Sequence, residues 1–272
     1  IAKRFGVSVT SIIRWFDNLN YPHPKLPECI AIDELRGNAG GEKFQCNIAD
    51  PVKHQVIDIL PSRNTENLCK HFLEYPYKER AAVKKIVMDL STLFRSVAKT
   101  MFPEAKIVAD KFHVIRAVIN SLENVRKRIQ KEFHATKRKW FKRSRYLLLK
   151  PEFKLTSEDK TELARMLNSS YDLEKAYVLK ERFYEVFRKQ TRTEAKKELG
   201  KWLLLAADLS LPEFQHCITT FSNWKTEIAN IIGERVSNGF IEGSNNKIKV
   251  LKRISYGVRN FDRFRNRILY LE

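Results

Sequence analysis

Between residues 29 and 110 the apolar positions come in short runs that end on an acid or a turn residue, whereas beyond residue 112 they recur at helical spacing almost without a break. The runs predict five strands: Cys29 to Glu34 (Cys-Ile-Ala-Ile-Asp-Glu), an alternating Phe44 to Ile48, Gln55 to Leu60 after an Asp50-Pro51 turn, Lys85 to Asp89 (Lys-Ile-Val-Met-Asp) and Lys106 to Asp110 (Lys-Ile-Val-Ala-Asp). Tight connections among the first three suggest an antiparallel meander. Thr65 to Tyr75, with Asn64 as cap and Pro76 as stop, and Leu90 to Met101 read as helices. The order β-β-β-α-β-α-β makes a mixed α/β sheet flanked by helices. Downstream, Phe112 to Phe133, Ser157 to Leu167, Leu173 to Arg188, Thr193 to Leu209 and Phe214 to Ile232 carry helical spacing, an all-helical block of about 120 residues, the size of a domain.

Two flanking segments follow other rules. Ile1 to Phe16 reads as a short helical end, a turn at Gly6 and a second amphipathic helix, which resembles the back half of a helix-turn-helix. On that reading Val9, Ile12, Ile13 and Phe16 pack inward, and Ser8, Thr10, Ser11 and Arg14 face a major groove. Pro22, Pro24 and Pro27 then push the chain into an extended linker. At the other end, Ser237 to Arg253 holds one acid, Glu242, among amides and cations. Asn238 and Gly239 suit a helix start, and Glu242, Asn246, Lys249 and Arg253 recur at steps of four, three and four, so they share a face. Ile241, Ile248 and Leu251 form the opposing apolar stripe. Taken alone, an acid in a first turn also complements the helix dipole.

Charge narrows the partner. The formal charge of +19 comes from 51 Lys and Arg against 32 Asp and Glu, and it is concentrated. Lys111 to Lys150 holds 13 basic and 2 acidic residues, and Lys247 to Arg267 holds 8 basic and 1 acidic, net +11 and +7. Aromatics interleave with both blocks (Trp140, Phe141, Tyr146; Tyr256, Phe261, Phe264), the make-up of a nucleic-acid groove in which neutralised phosphates release counterions. No apolar run approaches the roughly 18 residues of a membrane-spanning helix. Cys29, Cys46, Cys69 and Cys217 show neither CxxC spacing nor a disulfide framework, which suggests a reducing compartment. The start at Ile1, with no initiator Met, reads as a chain lacking its natural N-terminus.

Asp33 and Asp89 each end a strand, where ligands of α/β folds collect. If the two strands are neighbours, the carboxylates can share a hard divalent cation such as Mg²⁺, and two ions roughly 3.5 to 4 Å apart would activate an attacking oxygen and stabilise a leaving one at phosphorus. Glu34 is a poor substitute for Asp33, because adjacent strand residues point to opposite faces. Asp110 also ends a strand, so position alone leaves Asp89 and Asp110 as alternatives for the second ligand. Each Asp taken singly also suits a turn or cap, and His113 suits a core position.

The strand order, Asp33 and Asp89, the Asp-Lys-Phe-His run at Asp110 to His113, the helical insertion and Ser-Asn-Gly-Phe-Ile-Glu-Gly-Ser-Asn-Asn-Lys-Ile-Lys together resemble a bacterial insertion-sequence transposase of the DDE class, ISL3 type, over about Cys29 to Leu271. The resemblance implies an RNase H-like catalytic core interrupted by a large helical insertion and preceded by a partial helix-turn-helix. The corresponding segments are residues 1–20 for the helix-turn-helix part, 21–28 for the linker, 29–116 and 236–272 for the core, and 117–235 for the insertion. By position Asp33, Asp89 and Glu242 match the three catalytic metal ligands, and Asp110 and His113 match a supporting DxxH element. The implied cofactor is two ions of Mg²⁺ or Mn²⁺.

The expected function is hydrolysis at the element's ends and strand transfer into target DNA by a cytoplasmic, nucleoid-associated homodimer without membrane contact. Arg138, Lys139, Arg143, Asn246, Lys249, Lys252 and Arg253 are the expected DNA contacts, with Ser8, Thr10, Ser11 and Arg14. The rival readings are a DNA-binding repressor or architectural protein that has lost catalysis, and a structure-selective metal-dependent nuclease.

Overall fold

The computed structural model describes residues 2–234 and 236–271, which fall into two compact units. One joins the chain up to Val108 to the segment from residue 236 onward; the other is Ala109–Glu234.

The first unit opens with α1 (Ala2–Phe5) and α2 (Val9–Asp17), the latter capped by Ser8, whose hydroxyl accepts the Ser11 amide at 3.0 Å. The sheet follows. β1 (Cys29–Leu35), β2 (Gln45–Asp50) and β3 (Gln55–Leu60) form an antiparallel meander. Next come α3 (Thr65–Leu73) and α4 (Tyr77–Ala82); the Asn64 side chain caps α3 by accepting the Asn67 amide at 2.8 Å. β4 (Lys85–Met88) pairs in parallel with β1, then α5 (Thr92–Met101) and β5 (Lys106–Ala109) complete the order β3-β2-β1-β4-β5. β1 is the middle strand, and Ile30, Ala31 and Ile32 are wholly buried, which is why it reads as an unbroken apolar run. The expected mixed α/β class is found.

The second unit is helical: α6 (Lys111–Ile129), α7 (Ala135–Arg143), α8 (Arg145–Leu149), α9 (Ser157–Leu167), α10 (Tyr171–Tyr184), α11 (Arg192–Leu209), α12 (Gln215–Asn223) and α13 (Lys225–Ala229). Its core stacks Phe183 on Phe221 at 5.2 Å and sets Trp202 edge-on to Phe183 at 5.0 Å. Capping boxes at Thr156/Asp159 and Thr191/Glu194 start α9 and α11. The stretch Phe214 to Ile232 is not one helix: buried Trp224 takes φ −111°, ψ 17° and separates α12 from α13.

The chain then returns to the first unit through α14 (Gly239–Ile254) and α15 (Phe261–Leu271). Ile248 of α14 and Phe264 and Ile268 of α15 build a core with Leu35, Val56 and Ile59. α2 is tied to α15. Arg263 holds Asp17 through two bonds of 2.7 and 2.6 Å, Asn266 donates to the carbonyls of Phe16 and Leu19, and Phe16 packs edge-on against Tyr270. That contact covers only part of α2's apolar stripe. Ile12 and Phe16 are half-buried, but Val9 is 66% and Ile13 38% exposed, so the expectation that all four pack inward fails for these two. The stripe is wider than the single helix it meets.

Candidate functional site

The parallel ladder of β1 and β4 pairs Ile30 with Ile86, Ala31 with Val87 and Ile32 with Met88. The ladder ends at that last pair: Asp33 is the next residue of β1 and Asp89 the first residue after β4, so each acid directly follows the last paired step of two adjacent strands. Asp33 Oδ1 accepts its neighbour's amide, Glu34 N, at 2.8 Å, and Asp89 Oδ1 accepts Ser91 N at 3.1 Å as the chain turns toward α5. The turn role open to a lone Asp is therefore filled at Asp89. A carboxylate has about four lone-pair positions, so this does not exhaust it. The charges of both acids bear on one neighbour: burial first, then Asp33, Asp89 and Asp58, push the Cys46 thiol well above its ordinary value. Glu34 points away from Asp33's side and pairs with Arg63.

α14 lies along the face of β1 that carries Ala31, Asp33 and Leu35. Ile241 packs on Ala31 and Ala49, and Ile248 joins the core around Leu35. Between them Asn245 replaces an apolar contact with hydrogen bonds: its Nδ2 donates to Asp33 Oδ2 at 2.9 Å and to the Glu34 carbonyl at 3.3 Å, and its Oδ1 accepts from Asn47 Nδ2 at 2.8 Å. Asn47 is the β2 residue opposite Asp33, so one amide bridges two strands and fixes the rotamer of Asp33. Sequence reasoning missed Asn245 and Asn47. The signal was present, since Ile241, Asn245 and Ile248 follow the i, i+4, i+7 spacing of a buried stripe with one polar member.

Glu242, one residue beyond Ile241, lies in the exposed first turn of α14, its amide bonded to the Asn238 carbonyl at 2.9 Å. Asn238 precedes the helix, but its buried side chain makes no cap bond. Asn246, Lys249 and Arg253 are exposed, and Lys249 donates to Asn246 at 3.4 Å, as neighbours on one face must. Lys252 is half-buried, and burial followed by the nearby Arg36 lowers its pKa. Among the described residues, the three metal-ligating side chains whose ligand atoms all lie within 4.8 Å of one another are a different set, His23, His71 and Glu74.

In the helical unit, Asp110 is the N-cap of α6. Its Oδ1 accepts Phe112 N at 3.4 Å, and its Oδ2 meets His113 Nδ1 at 2.5 Å. Asp110 is buried and the His113 side chain is 36% exposed, so the DxxH run is a cap with an imidazole bound to it, and a core position for His113 does not hold. The basic block from residue 111 to 150 is less uniform than its net charge implies. Arg126 is buried against Glu123, and Arg128 is held by Glu213 and Asp172. Arg138, Lys139 and Arg143 are exposed on α7, which carries no acid. In the first unit the Ser8 and Ser11 hydroxyls bond each other at 2.9 Å, while Thr10 and Arg14 are exposed.

Residues 30–268 match the family model of ISL3-type DDE transposases, described as "Transposase". The chain is 26% identical over 241 residues to the "Transposase for insertion sequence element IS1001" of Bordetella parapertussis, covering 87% of this chain and 59% of that protein. It is 28% identical over 254 residues to the "Transposase for insertion sequence element IS1557" of Mycobacterium tuberculosis, covering 85% and 57%. It thus spans under three fifths of the length of these relatives. A shorter stretch of 94 residues is 37% identical to a Lactococcus lactis protein named "ATP-dependent protease", but covers only 34% of this chain and 26% of that one. With the match extending across the sheet, the helical unit and α14, the chain belongs to the ISL3-type family of DDE transposases.

Proposed function

We propose that this chain cuts phosphodiester bonds at the ends of an insertion element and joins the freed 3′ ends to target DNA, with Asp33, Asp89 and Glu242 as its metal-binding acids. The observation that supports the proposal is the β1/β4 register, whose last pair, Ile32 with Met88, immediately precedes Asp33 and Asp89, together with the Asn245 bridge that docks the helix bearing Glu242 onto β1. The donor set fits Mg²⁺ or Mn²⁺, hard ions that take carboxylate oxygens and keep several waters. When bound, two such ions supply activation of the attacking oxygen and stabilisation of the leaving one.

The chain's own side chains do the rest. Asn245 holds Asp33 by donating to Oδ2, which orients the carboxylate. Asn246, Lys249, Lys252 and Arg253 contact phosphate along α14, and Arg138, Lys139 and Arg143 grip DNA from α7. Thr10 and Arg14 are the exposed groups of α2 suited to groove contacts, with Ser8 and Ser11 serving the helix cap. Asp110 holds the His113 imidazole and acts as support. The working form is a homodimer that brings two element ends together at the nucleoid.

The test incubates the protein with terminal-repeat DNA, a target plasmid and Mg²⁺. Joined products support the proposal. Cut products alone indicate a nuclease, and bound but intact DNA indicates a binding protein. Normal cleavage by Glu242→Gln would remove Glu242 from the site. Light scattering of the DNA complex tests the dimer.

A further inference from the structure

His23 sits between two prolines in the segment joining α2 to β1. Its Nε2 lies 2.9 Å from Glu74 Oε2, and its ring centroid lies 5.4 Å from that of His71. His71 and Glu74 are one turn apart at the end of α3, so they share a face. His71 is 6% exposed, and its Nε2 is buried without a hydrogen-bond partner, a costly arrangement for a ring nitrogen. Its other nitrogen, Nδ1, faces Asp58 Oδ2 at 3.8 Å, and Asp58 is fixed by Arg265 at 2.5 and 3.1 Å. A metal-ligating histidine commonly has a carboxylate facing its other ring nitrogen, which orients the ring and raises its basicity, and His71 has that surrounding. Burial holds the His71 pKa below its ordinary value, which keeps the ring in the neutral form that ligates. The group borders a cavity of about 340 Å³.

We propose that His23, His71 and Glu74 form a transition-metal site, apart from the Asp33, Asp89 and Glu242 carboxylates, that takes Zn²⁺ through two imidazoles and one carboxylate. Mg²⁺ does not suit this set, because imidazole favours zinc and its neighbours while magnesium prefers oxygen. Three protein ligands leave a fourth tetrahedral position for water. The ion's role is mechanical: two ligands belong to α3 and one to the proline segment, so binding pins that segment to the sheet unit.

The full chain, stripped by chelator and kept in excess Mg²⁺, is titrated with Zn²⁺ by calorimetry and with Co²⁺ by visible absorption. One equivalent of Zn²⁺, an intense tetrahedral Co²⁺ band and slower trypsin cleavage at Lys25 are expected. His23→Ala and Glu74→Ala alter side chains that are 43% and 46% exposed, so they leave the fold intact. Each should weaken Zn²⁺ at least about a hundredfold and abolish the protection at Lys25. Glu242→Gln should bind Zn²⁺ as before. Unchanged affinity in either variant, or no equivalent bound by the parent chain, overturns the proposal.

Discussion

In the helical unit the buried cations Arg126 and Lys180 are matched by acids next to them, whereas in the sheet unit the buried acid Asp33 takes a neutral amide from a distant helix. Glu123 and Arg126, three residues apart on α6, bond each other at 2.7 and 3.1 Å, and Lys180 donates to the carbonyls of Leu148 and Lys150 while pairing with Glu181. Burial lowers the Lys180 pKa, and Glu181, with Glu152, opposes the shift. These are local solutions to the cost of desolvation. Asp33 instead is held by an amide donated from a helix more than two hundred residues later in the chain, with an exposed acid one turn away on that helix. A neutral amide orients a carboxylate without neutralising it.

The difference can be broken experimentally. Asp33→Asn, Asp89→Asn or Glu242→Gln should each lower cleavage of terminal-repeat DNA at least about 10⁴-fold, some 5 kcal/mol of barrier, with little change in melting temperature. Glu123→Ala should do the reverse: taking the carboxylate from buried Arg126, which keeps only its bond to Gln130, costs about 3–5 kcal/mol of stability by chemical denaturation, while DNA cleavage by the fraction still folded is retained. Asn245→Ala sits between the two. It strips partners from Asp33 and Asn47, and should cost about 2–4 kcal/mol in denaturation and also reduce cleavage.

A smaller effect belongs to His71. Its pKa in the folded chain is below the ordinary 6.5, chiefly through burial. The unfolded chain therefore takes up the proton first, so His71's contribution is fully present above pH 6.5 and drains as pH falls below it. In chelator, denaturation midpoints from pH 7.5 down to pH 5 should show that loss, and His71→Asn should flatten it. The smallest change is expected from Arg138→Ala, Lys139→Ala and Arg143→Ala together. DNA affinity should fall evenly across sequences, and the slope of log affinity against log salt should shrink by up to about three.

Much of the sheet was legible because its strands are buried on both faces. Ile30 to Ile32 and Ile86 to Met88 must read as apolar runs, and the acid ending each run marks where burial stops. Asn64 and Pro76 bracketed α3 for equally local reasons. The α7 and α8 helices were not foreseen, because residues 135–150 carry many cations and bury only Phe141, Leu147 and Leu148, too few to set a period. Asn245 is hard to read from the sequence because the amide that binds Asp33 lies in the buried row of α14 with Ile241 and Ile248, away from the polar face that carries Glu242. The nearness of His23 to His71 joins a linker to a helix and has no trace in any local pattern.

The β1/β4 ladder also limits how such a gene can change. A single codon gained or lost within either strand would slide one acid about 3.3 Å along the ladder and turn it to the opposite face of the sheet. Substitutions among the apolar residues leave that alignment alone. Length variation in this lineage should therefore collect in the connections and the helical unit, while the count of residues from Ile30 to Asp33 and from Ile86 to Asp89 stays the same.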